Sequence, residues 1–209
     1  MKPKNQLDPE AFSEEEKSRI RSAIRKKYAA VSSSAAGYFK YAIGREGAQK
    51  LGYAPELLDN TPDTLLDSFC GVGNPFAVSP IKKGSIVLDI GCGAGFDLVV
   101  ASRLTGETGR VYGVDLTPEM VARAQANLAA IAVDNIEVIH VSSESLPFAD
   151  NTFDVVLSNG VINLSPDKPQ LFAEIHRVLH PGGRLQFADI ILEKMLPPQL
   201  AGDVESWSQ

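Results

Sequence analysis

From Ser85 onward, short apolar runs alternate with amphipathic segments: SIVLDI, FDLVVASRL, RVYGVDL, PEMVARAQANLAAIA, IEVIHV, FDVVLSN, KPQLFAEIHRVL and RLQFADI, in that order. The first, third, fifth and sixth are rich in Val and Ile, and the last carries Leu, Phe and Ile, side chains that suit a pleated, buried surface. The others place apolar residues three and four apart, the spacing of one helix face. Strands that return through helical crossovers lie parallel, so this stretch predicts a five-stranded, doubly wound parallel sheet of the α/β class, with a loop in place of the third crossover.

Upstream, Ser13 to Val31 predicts a helix. Ser13 and Glu16 make a capping box, acids fill the first turn, and Arg25, Lys26 and Lys27 are read as its last. Its stripe of Ile20, Ile24, Tyr28 and Val31 is a packing face, from which Tyr28 can reach a ligand. Residues 32 to 80 are rich in Ser, Gly and Pro and end in the loop FCGVGNPFAVSPIKKG. The chain thus divides into an N-terminal helical cap and loop (1–80) and a main domain (81–209).

With 44% hydrophobic residues in 209, the chain can bury one substantial core. Its 20 Lys and Arg against 26 Asp and Glu, a net charge of −6, argue against a nucleic-acid or anionic-membrane surface. No apolar run approaches a membrane span and the N-terminus carries no secretory leader pattern, so the expected setting is the cytoplasm and the expected partners are small molecules. Only Cys70 and Cys92 are present, too few for a disulfide framework. No histidine pair has ligand spacing, and no metal is expected.

The chemistry concentrates in LDIGCGAGFD, residues 88–97. Gly91, Gly93 and Gly95 separate a strand from a helix, so a ligand must approach the backbone closely. A dinucleotide turn follows G-x-G-x-x-G, but Phe96 stands where its third glycine belongs, and no Gly-Lys-Ser/Thr follows as in a phosphate loop. Asp89, two residues before the turn, repels phosphate and attracts an ammonium group. Asp115 ends the second strand, where an acid can accept both hydroxyls of a ribose. A ribose without a pyrophosphate, together with an amino group, describes S-adenosylmethionine.

D-x-G-x-G-x-G with an acid ending the next strand resembles the class I methyltransferases, Rossmann-like enzymes, over about residues 85–190. The resemblance implies that Gly91 and Gly93 bring backbone to the methionine moiety, that Asp115 holds the ribose, and that Leu116 and Met120 flank the adenine. Met120 also reads as core. VSSESLPF is similar to the family's D-A-x-x-L-P-F with Ser142 in place of the acid. The hydrogen bond to the adenine amino group is then weakened or moves to Glu144, and the Ser143 N–H is left for a ring nitrogen. Cys92 fits the turn as a small packing residue, and Ser158 lies where the fourth strand reaches the cofactor. The glycines of HPGGRL form a turn before the last strand.

GNP at 73–75, GAGFD, DLTPEM and SNGVINLSPDK at 158–168 further resemble arsenite methyltransferases, from about Lys26 onward. That family holds arsenic through cysteine thiolates, soft ligands for a soft ion. Here Gly160, Val72 and SSSAAG at 32–37 stand where its cysteines are expected, and Cys70 lies two residues from one such position. The implied activity is methyl transfer from S-adenosylmethionine to a small-molecule acceptor, and the missing cysteines leave open whether that acceptor is arsenic. Asn74, Asn159 and Asn163 are candidate acceptor contacts, and no catalytic residue is assigned. A truncated or inactive S-adenosylmethionine-binding domain is the alternative, and an NAD-dependent oxidoreductase a more distant one. The family fold adds two terminal strands after the fifth, and only about 20 residues follow ADI, so those strands are expected to be missing. The open sheet edge invites pairing with a second copy.

Overall fold

The computed structural model describes residues 12–191 and residue 193. Its sheet is fully parallel, in the order β3-β2-β1-β4-β5: β1 is Ile86–Ile90, β2 Arg110–Asp115, β3 Ile136–His140, β4 Phe153–Asn159 and β5 Leu179–Ala188. The connections are α5 (Phe96–Thr105) after β1, α6 (Pro118–Ala130) after β2 and α7 (Lys168–Val178) before β5, with a loop from β3 to β4. The strand order reverses between β1 and β4. There the loops leaving two adjacent strands diverge and open a crevice at their C-terminal ends, the usual ligand position in such a sheet.

The last strand differs from expectation. HPGGRL is not a turn ahead of it: β5 begins at Leu179, five residues before Arg184, and ends at Ala188. The glycines are absorbed as an irregularity in the pairing with β4 between Phe153 and Val155, where Gly182 takes φ +86°. Among the described residues β5 is the outer strand on its side.

The N-terminal helix α1 spans Glu14–Ser33 with the expected capping box, Ser13 accepting from the Glu16 N–H. It runs past Val31, so Arg25, Lys26 and Lys27 lie inside it and not in its last turn. Ala29, Ala30 and Val31 are compatible with helix, and Ile20, Ile24 and Val31 are buried. The helix packs on α6.

Three short helices follow, α2 (Gly44–Lys50), α3 (Pro55–Asp59) and α4 (Asp63–Leu66). They do not form a separate layer. Ala48, Tyr53, Leu58, Leu65, Leu66 and Phe69 share one apolar cluster with Val87, Leu98, Val99 and Val155 of the sheet domain. This explains why FDLVVASRL is apolar almost all round: α5 is covered by the sheet on one side and by this segment on the other, and eight of its ten residues are buried. Tyr53, Phe69 and Phe96 form its aromatic contact, with ring centroids 4.8 to 5.4 Å apart. The opposite sheet face is closed by α7, with Leu88, Ile90, Val156, Leu171 and Ile175 in a second cluster.

Candidate functional site

The crevice at the β1/β4 reversal is a cleft with an empty volume of about 950 Å³. Its floor is the glycine turn. Gly91, Gly93 and Gly95 take φ +73°, +52° and +97°, a region L side chains rarely enter. A side chain at Gly91 would also collide with Val161, whereas Gly93 faces open space, so its backbone is accessible to a ligand. The turn is pinned to β2: the N–H groups of Gly91 and Cys92 donate to the Val114 carbonyl, at 2.8 and 3.1 Å.

Asp115 stands beside this floor. One of its oxygens accepts from the Gly93 N–H at 2.9 Å and the other from the Thr117 N–H at 2.8 Å. Burial raises its pKa, and these hydrogen bonds act in the opposite direction. The Thr117 hydroxyl also bonds this carboxylate, which with its two backbone donors leaves about one of its four acceptor sites for a ligand hydroxyl. Leu116 and Met120 line the cleft beside it. Met120, 1% exposed, also belongs to the cluster of Val31, Ala35 and Ala94, so its core and cleft readings hold together. Across the cleft Ser143 and Glu144 contribute to the wall.

Glu144 is committed to the fold. One oxygen accepts from the Arg21 guanidinium and the other from the Ser165 hydroxyl at 2.9 Å. Nothing local in the sequence pairs residues 123 positions apart. Through this bond, and through Lys17 to Asp167 at 2.6 Å, α1 is laid along the cleft, which Arg21, Ile24 and Tyr28 line.

Other residues singled out from sequence sit outside the lining. Ser142 is exposed, because Val141 and Ser143 on either side of it face the cleft. Cys92 packs its sulfur under the turn against Gly113, and burial holds its thiol pKa well above the usual value, so it is neutral packing. Gly95 is the N-cap of α5, and Ser158 is fully buried in β4. Asn74 caps the short turn Pro75–Ala77, accepting from Phe76 N–H and donating to the Gly52 carbonyl, both at 3.1 Å. The Asn163 backbone N–H donates to Asp189 at 2.9 Å.

Asn159 does line the cleft, but its amide is fully used. Its oxygen accepts from the N–H groups of Val72 and Gly73, at 2.9 and 3.1 Å, and its nitrogen donates to the Gly73 carbonyl at 2.9 Å and to Asp97 at 3.0 Å. It is a clamp on the loop 71–75. Asp97 also accepts from the Tyr53 hydroxyl at 2.7 Å. Sequence reasoning passed over both partners, although an acid in the first turn of a helix that follows a glycine cap is a readable signal.

Asp89 lies behind the glycine turn, on the strand face it shares with Val87. Burial, then Asp97, then Asp115 push its pKa well up. Burial likewise raises Asp97 to about 6, with its two hydrogen bonds opposing. An acid whose folded pKa is raised stabilises the fold fully below its unfolded value of 3.8 and loses that contribution as pH rises through about 6. Replacing Asp97 by Asn is therefore expected to remove a fall in stability, on the order of 1–3 kcal/mol, between roughly pH 4 and 6. Urea unfolding of both proteins across that range checks it, and parallel profiles would refute the assignment.

The cleft fits S-adenosylmethionine: an open glycine backbone, a buried acid beside it and apolar walls for a flat ring. A Methyltransferase domain family model matches residues 81–209. The chain belongs to the methyltransferase-domain family. It is 39% identical to the arsenite methyltransferase of Halobacterium salinarum over 160 residues, 77% of this chain and 41% of that protein. It is 40% identical over 122 residues to the ubiquinone/menaquinone biosynthesis C-methyltransferase UbiE of Klebsiella pneumoniae, 56% of this chain and 48% of that one. The crystal structure of an arsenic(III) S-adenosylmethionine methyltransferase from Chlamydomonas reinhardtii superimposes with a TM-score of 0.57 at 34% identity, covering 77% of this chain and 53% of that one. This methyltransferase domain thus spans about two-fifths of the length of the arsenite methyltransferase it matches. No helix among the described residues is long and apolar enough to cross a membrane, and among them no group of three acidic, His or Cys side chains is placed to hold a metal ion.

Proposed function

We propose that the chain is an S-adenosylmethionine-dependent methyltransferase acting on a small-molecule acceptor that is not held by a set of protein thiolates. The observation that carries the first half is Asp115, fixed to the glycine turn by the Gly93 N–H at the edge of an apolar cleft. Bound there, the cofactor supplies an electrophilic methyl group on a sulfonium sulfur. Asp115 would accept a ribose hydroxyl, Leu116 and Met120 would flank the adenine, and the Ser143 N–H would serve a ring nitrogen; all four residues line the cleft. The backbone of Gly91–Gly93 would follow the methionine moiety; Asp89, buried behind the turn and held toward its neutral form, supplies no charge to it. Arg21, Ile24 and Tyr28 on α1 cover the cleft and exclude water. The protein's remaining task is to align the acceptor, and no general base is required for that.

The second half rests on the acceptor side. Val72 and Gly160, in the positions where thiols were expected, face one another: a Cβ at Gly160 would lie 3.2 Å from a Val72 methyl. Cys70 lines the same cleft, but burial pushes its thiol up to about 12, which keeps it protonated.

Calorimetric titration of the full chain is expected to show binding of S-adenosylmethionine and none of NADH. Methyl transfer is then assayed on arsenite, thiols and phenols. Binding with no turnover on any acceptor would leave a cofactor-binding domain without catalysis. Sedimentation of the same sample reads association through the β5 edge, beside which Phe187, Ile190 and Ile191 are exposed, and a strict monomer would remove that part of the reading.

A further inference from the structure

Lys27 neighbours the cleft and has no use in the site described so far. No carboxylate among the described residues pairs with its ammonium, which instead lies 5.8 Å from the ring centroid of Tyr28 and 5.1 Å from that of Phe39. The rings continue as a wall, Tyr28 to Phe39 at 6.5 Å and Phe39 to Tyr41 at 5.2 Å. The Tyr41 hydroxyl donates to the Cys70 carbonyl at 2.9 Å and fastens this wall to the cleft, which Tyr28 and Cys70 both line.

A half-buried ammonium has given up part of its hydration, and the faces of two rings return only part of that loss. Burial accordingly lowers the Lys27 pKa. The charge it lacks is an anion, and the surface around it favours a flat, apolar one. Burial raises the pKa values of Tyr28 and Tyr41, so both keep their hydroxyl protons. The neutral Cys70 thiol likewise brings no competing negative charge.

We propose that Lys27, with Tyr28, Phe39 and Tyr41, forms a subsite for a planar aromatic oxyanion, a phenolate, at the margin of the cleft, which Tyr28 alone of the four lines. An aliphatic acid would satisfy the charge but leave the ring faces bare. A neutral arene would cover the rings but leave the ammonium unmatched. The subsite thus selects for ring and charge together. It deepens the methyltransferase reading and rests on it for the phenolate's role as acceptor, while the binding itself stands apart from turnover.

The probe is 4-nitrophenol, whose phenolate is coloured, added to the full chain with S-adenosylhomocysteine at a pH where the free probe is partly ionised. Binding is expected to raise the phenolate absorbance, because Lys27 favours the charged form. Lys27→Met is expected to abolish that rise and weaken binding by about tenfold or more, the loss of a charge-assisted contact. Lys27→Arg should keep most of the rise, and 4-nitroanisole, which has no proton to lose, should bind the parent more weakly than 4-nitrophenol. Circular dichroism and the S-adenosylhomocysteine titration verify that each variant is folded, with Lys27→Gln as a second neutral replacement. Absence of binding to the parent, an unchanged rise in both neutral variants, or equal binding of 4-nitroanisole would overturn the subsite. Failure of S-adenosylhomocysteine to bind the parent would instead overturn the cofactor reading.

Discussion

Replacing Asp115 by alanine is expected to weaken S-adenosylmethionine binding by about 10- to 100-fold, the equivalent of losing charge-assisted hydrogen bonds worth about 1.5–3 kcal/mol. The variant also strands two backbone donors, Gly93 N–H on the turn and Thr117 N–H at the start of α6. It should therefore unfold at lower urea concentration than the parent, by about 1–3 kcal/mol. Asp115→Asn removes the charge but keeps an acceptor for only one of the two backbone donors, so its urea curve should fall between those of the parent and Asp115→Ala. Calorimetry on both variants, with their urea curves, provides the check. A folded Asp115→Ala protein with the parent's affinity would remove Asp115 from the cofactor site.

The second large effect concerns arsenic. The unmodified chain is expected to show no arsenite methylation above background, and the combined Val72→Cys and Gly160→Cys variant is expected to gain arsenite binding. The two positions are in contact across the loop 71–75, and Cys70 lines the same cleft, so the new thiols join an existing one. Chelation by linked ligands raises affinity by about 100-fold or more over a single thiol, because each further bond is intramolecular. A cost opposes it. Gly160 takes φ +74°, where a cysteine pays roughly 1–2 kcal/mol. Equilibrium dialysis of arsenite against parent, single and double variants tests the gain. Efficient methylation by the parent, retained in Cys70→Ser, would show that arsenic reaches the cofactor without a protein chelate.

The alternation from Ser85 onward carried the sheet, its parallel sense and four of the five strands nearly to the residue, because each strand's burial is written into its own Val and Ile content. The fifth was misjudged: Pro181, Gly182 and Gly183 signal a turn locally, and only pairing with β4 draws them into a strand. For the cleft, Gly91, Gly93, Asp115, Leu116 and Met120 were legible because a turn and the next strand's end are fixed by short spacings. Asn74 and Asn159 were read as acceptor contacts, but their amides are spent on holding loops, and no spacing reveals that. Arg21 to Glu144 and Tyr53 to Asp97 join segments 123 and 44 residues apart. Such pairs exist only once the fold has brought their elements together.

The position of α1 carries a thermal consequence. Ile24, which faces the cleft, is also part of the buried stripe by which α1 packs on the body of the protein. If a bound molecule leaves only when this helix lifts, the departing step exposes that apolar stripe to water. Exposure of apolar surface raises heat capacity. The rate of ligand escape would then follow a curved line against inverse temperature, steepening on warming. A chain that trapped its cofactor well in the cold would surrender it disproportionately fast when warm.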